Sequence, residues 1–220
     1  KDTYTEFDIV DFELDFAGRK MLGNTLRIHS MKDFYGEKKF TVRINYTDSL
    51  KLITAKHNSK INALADVELK NITIKNYDNS RSFLNVKSDF FTIILNDKSE
   101  AELNIKAKNT TIELSKDAEL KALIASPEVK IDLYQSSKAI IEGDASNAKV
   151  RLDNSSNLIA KKFTISNLEL KCESYSKCEV NVMNKITINA AGKSEIELLG
   201  DPKIEITKFT NNTTLYKKEK

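Results

Sequence analysis

A turn recurs at near-constant intervals through the C-terminal half of this chain, and that period constrains the fold more than any single residue does. Ser99, Ala118, Ser137, Ser156, Ser176, Ser194 and Asn212 mark it, with successive spacings of 19, 19, 19, 20, 18 and 18 residues. A fixed period of this length means that one small supersecondary unit has been stacked on itself.

Side chains at constant offsets from the marker define the unit. Six residues before it stand Ile93, Ile112, Ile131, Val150, Leu170, Ile188 and Ile206, and four before it Leu95, Leu114, Leu133, Leu152, Cys172 and Ala190. Two residues after it come Ala101, Leu120, Ala139, Leu158, Cys178, Ile196 and Thr214, and four after it Leu103, Ala122, Ile141, Ala160, Val180 and Leu198. The positions between are mostly polar, as in Ile112-Glu113-Leu114. Apolar residues two apart lie on one face of a strand, so each unit is a strand, a polar turn and a second strand. Asn96-Asp97-Lys98-Ser99, Asn154-Ser155-Ser156-Asn157 and Gly192-Lys193-Ser194 supply turn chemistry.

One such unit cannot bury its apolar face alone, whereas identical columns stacked coil on coil form a continuous core. The predicted fold is therefore all-β, a single-stranded parallel β-helix with coils of about 18–20 residues. Its hand is expected to be right, because crossovers between parallel strands nearly always are. Helical repeats are rejected by the spacing of two on both sides of the turn. The left-handed hexapeptide β-helix expects an apolar residue every sixth position and frequent glycine, but here the coil length drifts and only 6 of 220 residues are Gly.

The whole chain, 1–220, is expected to form one β-helix domain. Within it, 1–39 is assigned to an N-terminal cap with irregular strands, 40–87 to longer irregular coils, 88–216 to regular coils and 217–220 to a charged tail. A cap is needed because an open coil end exposes unpaired strand edges. Tyr4–Phe16, with Phe7, Ile9 and Phe12, is the candidate. Charged residues make up 30% of the chain at a net charge of +3, and lysines alternate with acids instead of forming a basic stripe. That pattern argues against nucleic acid as a partner, and no apolar stretch reaches the length of a membrane span. Lys1 is preceded by neither Met nor an apolar leader, which fits export with a segment removed ahead of it.

The run Ile186-Thr-Ile-Asn-Ala-Ala-Gly-Lys-Ser-Glu-Ile-Glu-Leu-Leu-Gly-Asp-Pro-Lys-Ile-Glu-Ile206 resembles the last repeats of the auto-transporter adhesin head domain, the GIN domain. Gly192-Lys193-Ser194 matches that family's small-residue turn, and Gly200-Asp201-Pro202 its Gly-x-Pro step before the last strand. Earlier turns depart from its Gly-Ala-Ser pattern by using Ser-Ser or Asp-Ala. The resemblance implies a right-handed β-helix and a periplasmic, outer-membrane-anchored or cell-surface location in a Bacteroidetes-like bacterium. It implies no established activity and carries over no catalytic residue.

The expected function is thus a non-enzymatic envelope or surface module that binds a protein or glycan, or has a structural role. The alternative is a carbohydrate-active enzyme, a polysaccharide lyase or hydrolase, using acids on one strand face. Glu113, Asp132, Asp153, Glu173, Glu179 and Glu197 occupy outward columns, where adjacent carboxylates about 5 Å apart could serve as acid and base. The plainer reading is a solvated charge ladder, self-neutralising where Asp132 meets Arg151. Trp, the usual sugar platform, is absent. Only His29 and His57 exist, both in the irregular N-terminal part. No catalytic, cofactor-binding or metal-binding residue is therefore assigned, and no cofactor.

Cys172 and Cys178 fall in inward columns of one coil, four before and two after Ser176. They read equally as a disulfide across the turn or as two small buried apolar residues. Ile94, Ile140 and Ile159 stand at otherwise polar offsets and are expected to form a face for homo-oligomer contact.

Overall fold

The structure is a computed structural model, and it describes residues 5–10, 25–29 and 42–218. The first strands are β1 (Thr5–Val10), β2 (Thr25–His29), β3 (Leu52–His57), β4 (Lys60–Asn62), β5 (Val67–Glu68), β6 (Asn71–Asn76), β7 (Arg81–Leu95) and β8 (Glu100–Leu114). They continue with β9 (Glu119–Ala125), β10 (Glu128–Leu133), β11 (Lys138–Leu152), β12 (Asn157–Cys172), β13 (Lys177–Ala190), β14 (Glu195–Leu199), β15 (Lys203–Phe209) and β16 (Thr214–Lys217). Strands account for 69% of the chain, arranged as a parallel β-solenoid of about nine turns. No helix occurs among the described residues.

Each alternating segment finds its partner one period away. Pairing of β7 with β8 runs from Arg81–Glu100 to Leu95–Leu114. The first half of β8 then pairs with β9 and its second half with β10. Between those two strands Ser126-Pro127 interrupts the ladder, since Pro has no N–H to donate. Each coil therefore has a post-turn half and a pre-turn half, separated by a bend on one side and the recurring turn on the other. Gly200-Asp201-Pro202 divides β14 from β15 in the same way.

All four inward columns are buried through the regular coils, from Ile93 and Leu95 to Cys178 and Val180. Further columns at Val86, Ile105 and Ile124, and at Phe91, Val129, Ala148, Leu168 and Ile186, complete the same core. The marker residues themselves also point inward. Ser59, Ser80, Ser99, Ser137, Ser156, Ser176 and Ser194 are all at most 2% exposed, so the period rests on a buried serine column beside the turn. Several of its hydroxyls bond backbone groups of their own turn or of the preceding coil, while Ser59 Oγ is buried without a partner among the described residues. Ser137 Oγ accepts the Tyr134 N–H at 3.0 Å and donates to the Leu114 carbonyl of the preceding coil at 3.4 Å. Ser99 donates likewise to Asn76 O at 3.2 Å.

Three sequence assignments shift. The final marker is Thr213, not Asn212: Glu195 pairs with Thr214, which places Thr213 beside Ser194, their hydroxyl oxygens 3.3 Å apart. The column also begins earlier, since Arg81 pairs with both Lys60 and Glu100. Regular register thus precedes residue 88, and Ser59 and Ser80 are its first two markers. Lys217 ends β16, opposite Leu198, instead of starting a tail.

At the N-terminal end the pairing changes sense. β1 runs antiparallel to β3, and β2 antiparallel to β1, so a hairpin covers an edge that parallel coils alone leave open. The rest of the expected cap lies outside the described residues. At the C-terminal end Ile206 pairs in register with Ile188 yet is 52% exposed, because among the described strands β15 pairs only with β13 and nothing stacks on its outer side.

Candidate binding surface

The outward positions of the pre-turn halves form columns as regular as the buried ones. Strand register stacks Phe90, Asn109, Glu128, Asn147, Asn167 and Lys185 in one column. Two residues further along the strands, Thr111, Lys130, Lys149, Glu169 and Thr187 stack in the next. From Asn109 and Thr111 onward, the two columns line an open depression of about 430 Å³ running along the solenoid. A neighbouring depression of about 380 Å³ shares Lys130, Lys149 and Glu169 and adds Arg151 and Lys171.

Side-chain amides link the coils on this face. Asn167 Nδ2 donates to Asn147 Oδ1 at 3.0 Å, and Asn147 Nδ2 donates to Glu128 Oε1 at 2.7 Å. Lys149 pairs with Glu169 across one coil step at 3.1 Å, and Lys185 with Glu205 at 2.8 Å. Lys185 and then Lys203, through hydrogen bonds, hold the Glu205 carboxyl below the ordinary carboxylate range. Phe90 presents an exposed ring one coil before Asn109, while Phe91 beside it is buried. The period-two alternation through Phe90-Phe91 carried that signal, which sequence reasoning passed over.

The carboxylates considered for catalysis are placed differently. Glu179 and Glu197 are register neighbours on the post-turn side, but Lys161 bridges them at 3.0 and 3.7 Å. Hydrogen bonds that the Lys161 ammonium donates to them, that to Glu179 first, raise it above its ordinary range. Asp153 sits at the turn and accepts from Ser174 Oγ at 2.6 Å and Asn154 N–H at 2.8 Å. Glu173 pairs with Lys171 at 2.7 Å. Asp132 is opposite Arg151 in register, yet its ion pair is with Lys130 at 2.6 Å. Arg151 instead lays its guanidinium over the Tyr134 ring, 5.0 Å from the centroid. The expected Asp132–Arg151 neutralisation is therefore corrected to Lys130–Asp132, two residues apart on one strand face.

His57 lies at a turn with Nδ1 3.4 Å from Asp78 Oδ2, and the His29 side chain is outside the described residues. Among the described residues no group of three or more His, Cys, Asp or Glu side chains gathers as metal ligands would. No helix among them is long and apolar enough to cross a membrane. The isoleucine trio separates: Ile140 and Ile159 are register neighbours on the post-turn side, while Ile94 pairs with Lys75 and Glu113 on the pre-turn side. The turn lies between Ile94 and the other two.

Comparison with curated proteins gives no match, and comparison with solved structures gives none. The family model described as "Putative auto-transporter adhesin, head GIN domain" matches residues 7–202, a span that runs from within β1 through the end of β14, and this chain belongs to that family.

Proposed function

We propose that this protein is a non-enzymatic surface module of the bacterial envelope that holds an extended glycan along its pre-turn groove. The observation that carries this reading is the amide run Asn167–Asn147–Glu128. Amides and hydroxyls recurring at the coil spacing of about 4.8 Å offer donors and acceptors to each successive unit of a polar chain. Phe90, exposed in the same column, adds a flat apolar ring on which a sugar face can rest.

Adhesin-head membership and the solenoid fold fit a surface module. The family description also favours export, with the protein in the periplasm, anchored at the outer membrane or on the cell surface. Lys161 between Glu179 and Glu197 supports the non-enzymatic reading, because its ammonium is already ion-paired with both carboxylates and spans the gap between them.

The test is an array of acidic and neutral glycans probed with the wild-type chain and with a Phe90→Ala/Asn147→Ala/Asn167→Ala variant. Wild-type binding that weakens about tenfold or more in the variant is expected from losing one or two hydrogen bonds and a stacking surface. Equal binding by both proteins, or shortening of the glycan on incubation, overturns the reading.

A further inference from the structure

The two cysteines of this 220-residue chain share one coil. Cys172 ends β12 and Cys178 lies at the start of β13, on opposite sides of the turn whose buried marker is Ser176. Both are free thiols in the structure and both point into the core, 0% and 1% exposed. Cys172 Sγ donates to the Ser176 carbonyl at 3.7 Å, which turns it across the turn toward the strand that carries Cys178. The flanking coils place Leu152 with Leu158, and Ala190 with Ile196, at the same two positions. These positions flank the turn and are buried in each of the three coils, and only here do both carry a thiol.

We propose that Cys172 and Cys178 form an intramolecular disulfide that closes their coil across its turn. The oxidant is a small or protein disulfide, such as oxidised glutathione. One cysteine thiolate attacks an oxidant sulfur, the oxidant S–S bond breaks, and one oxidant thiol leaves. The second cysteine thiolate attacks the protein sulfur of that mixed disulfide, forms the Cys172–Cys178 bond and releases the second oxidant thiol. Two electrons pass to the oxidant, and the two cysteine protons end on the released thiols.

Burial sets when the bond forms. With both sulfurs enclosed, a disulfide reagent cannot reach them in the finished solenoid, so oxidation precedes docking of β14 over β13. Once the coil is covered, remaining thiols are inert. The hydrogen bond from Cys172, with burial second, pushes the Cys178 thiol well above the ordinary range and keeps it protonated. A closed pair is shielded from reductants by the same enclosure. The inference goes beyond glycan binding and stands or falls independently of it.

The chain is produced both in an oxidising bacterial periplasm and in a reducing cytosol, and each monomer is purified without refolding. After unfolding in the presence of N-ethylmaleimide, intact mass counts free thiols. The expected result is no adduct on the periplasmic protein, with a cross-linked peptide joining residues 172 and 178, and two adducts on the cytosolic protein. The oxidised form should also unfold at higher urea than the reduced form, and this difference should vanish in Cys172→Ser. Free thiols on the periplasmic monomer, or cross-links only between chains, overturn the proposal.

Discussion

Ser156 and Ser176 face each other inside the core with their hydroxyl oxygens 3.3 Å apart, 20 residues apart in sequence. They are consecutive markers of the solenoid, so the contact is the period made physical. A hydroxyl at this position bonds along the stack as well as to its own turn, as when Ser156 Oγ accepts the Asp153 N–H at 3.1 Å. Serine is thus suited to a place that is too enclosed for a longer polar side chain and lined with backbone groups that need partners.

Replacing Ser137 by Ala should cost about 1 kcal/mol of stability, the net worth of a hydroxyl that bonds Tyr134 N–H and Leu114 O. Ala118 already fills this position in the preceding coil, so the variant should fold. Ser137→Leu should cost more, about 2 to 3 kcal/mol, by overpacking. Urea unfolding of both variants measures the order, and an unchanged midpoint for the Leu variant would contradict it.

Gly143 and Gly192 should respond unequally to substitution. Gly143, at φ +111, would place a new Cβ 2.0 Å from the Ile124 carbonyl oxygen of the coil beneath, and that oxygen cannot withdraw without breaking register. Gly143→Ala is expected to lose about 2 to 4 kcal/mol. Gly192 sits at φ +80 in a turn, where other coils hold Asp97, Lys116 and Ser174 at positive φ. A Cβ at Gly192 would stand 2.8 Å from the Ser174 carbonyl oxygen, a milder clash than at Gly143, so Gly192→Asn should lose less, about 1 to 2 kcal/mol. Thermal unfolding of the pair would contradict this account if Gly192→Asn were the more damaging change.

Asp97 should contribute stability that acid removes. Its carboxylate accepts from the Lys116 ammonium and, at 3.3 Å, from the Asp78 N–H. The lysine hydrogen bond is the main cause that holds the carboxyl below its ordinary range. A depressed carboxyl stabilises the fold above its unfolded pKa of about 3.9 and loses that contribution as pH falls through the folded value. The stability gap between wild type and Asp97→Asn should be open at pH 6 and close as the pH drops below about 4. A gap constant from pH 6 to pH 2 would contradict the assignment.

The coil was legible because its signals are local and repeated. Ile112-Glu113-Leu114 and Ile131-Asp132-Leu133 each declare a strand face, and register then makes them neighbours. Where repetition weakens, local chemistry misleads: Asn212 looks like a turn residue, yet register selects Thr213 beside it. The partner of Asp132 was misjudged because a column says which residue lies opposite, not which lysine side chain reaches the carboxylate. Lys130, on the same strand face, does so. Ile94 was grouped with Ile140 and Ile159 by polarity of offset alone, although the turn sends them to different halves of the coil. The groove itself is a property of several coils together, with Asn109, Asn147 and Asn167 separated by 38 and 20 residues, so no motif within one coil announces it.

The most direct test of the groove as a binding surface is a backbone amide NMR titration of the isotopically labelled chain with the best glycan from the array. Shifts should gather at Asn109–Thr111, Glu128–Lys130, Asn147–Lys149 and Asn167–Glu169, leaving the Glu179–Glu197 side still and the glycan intact. Shifts confined to the post-turn side or to the exposed strands at the C-terminal end would contradict the account.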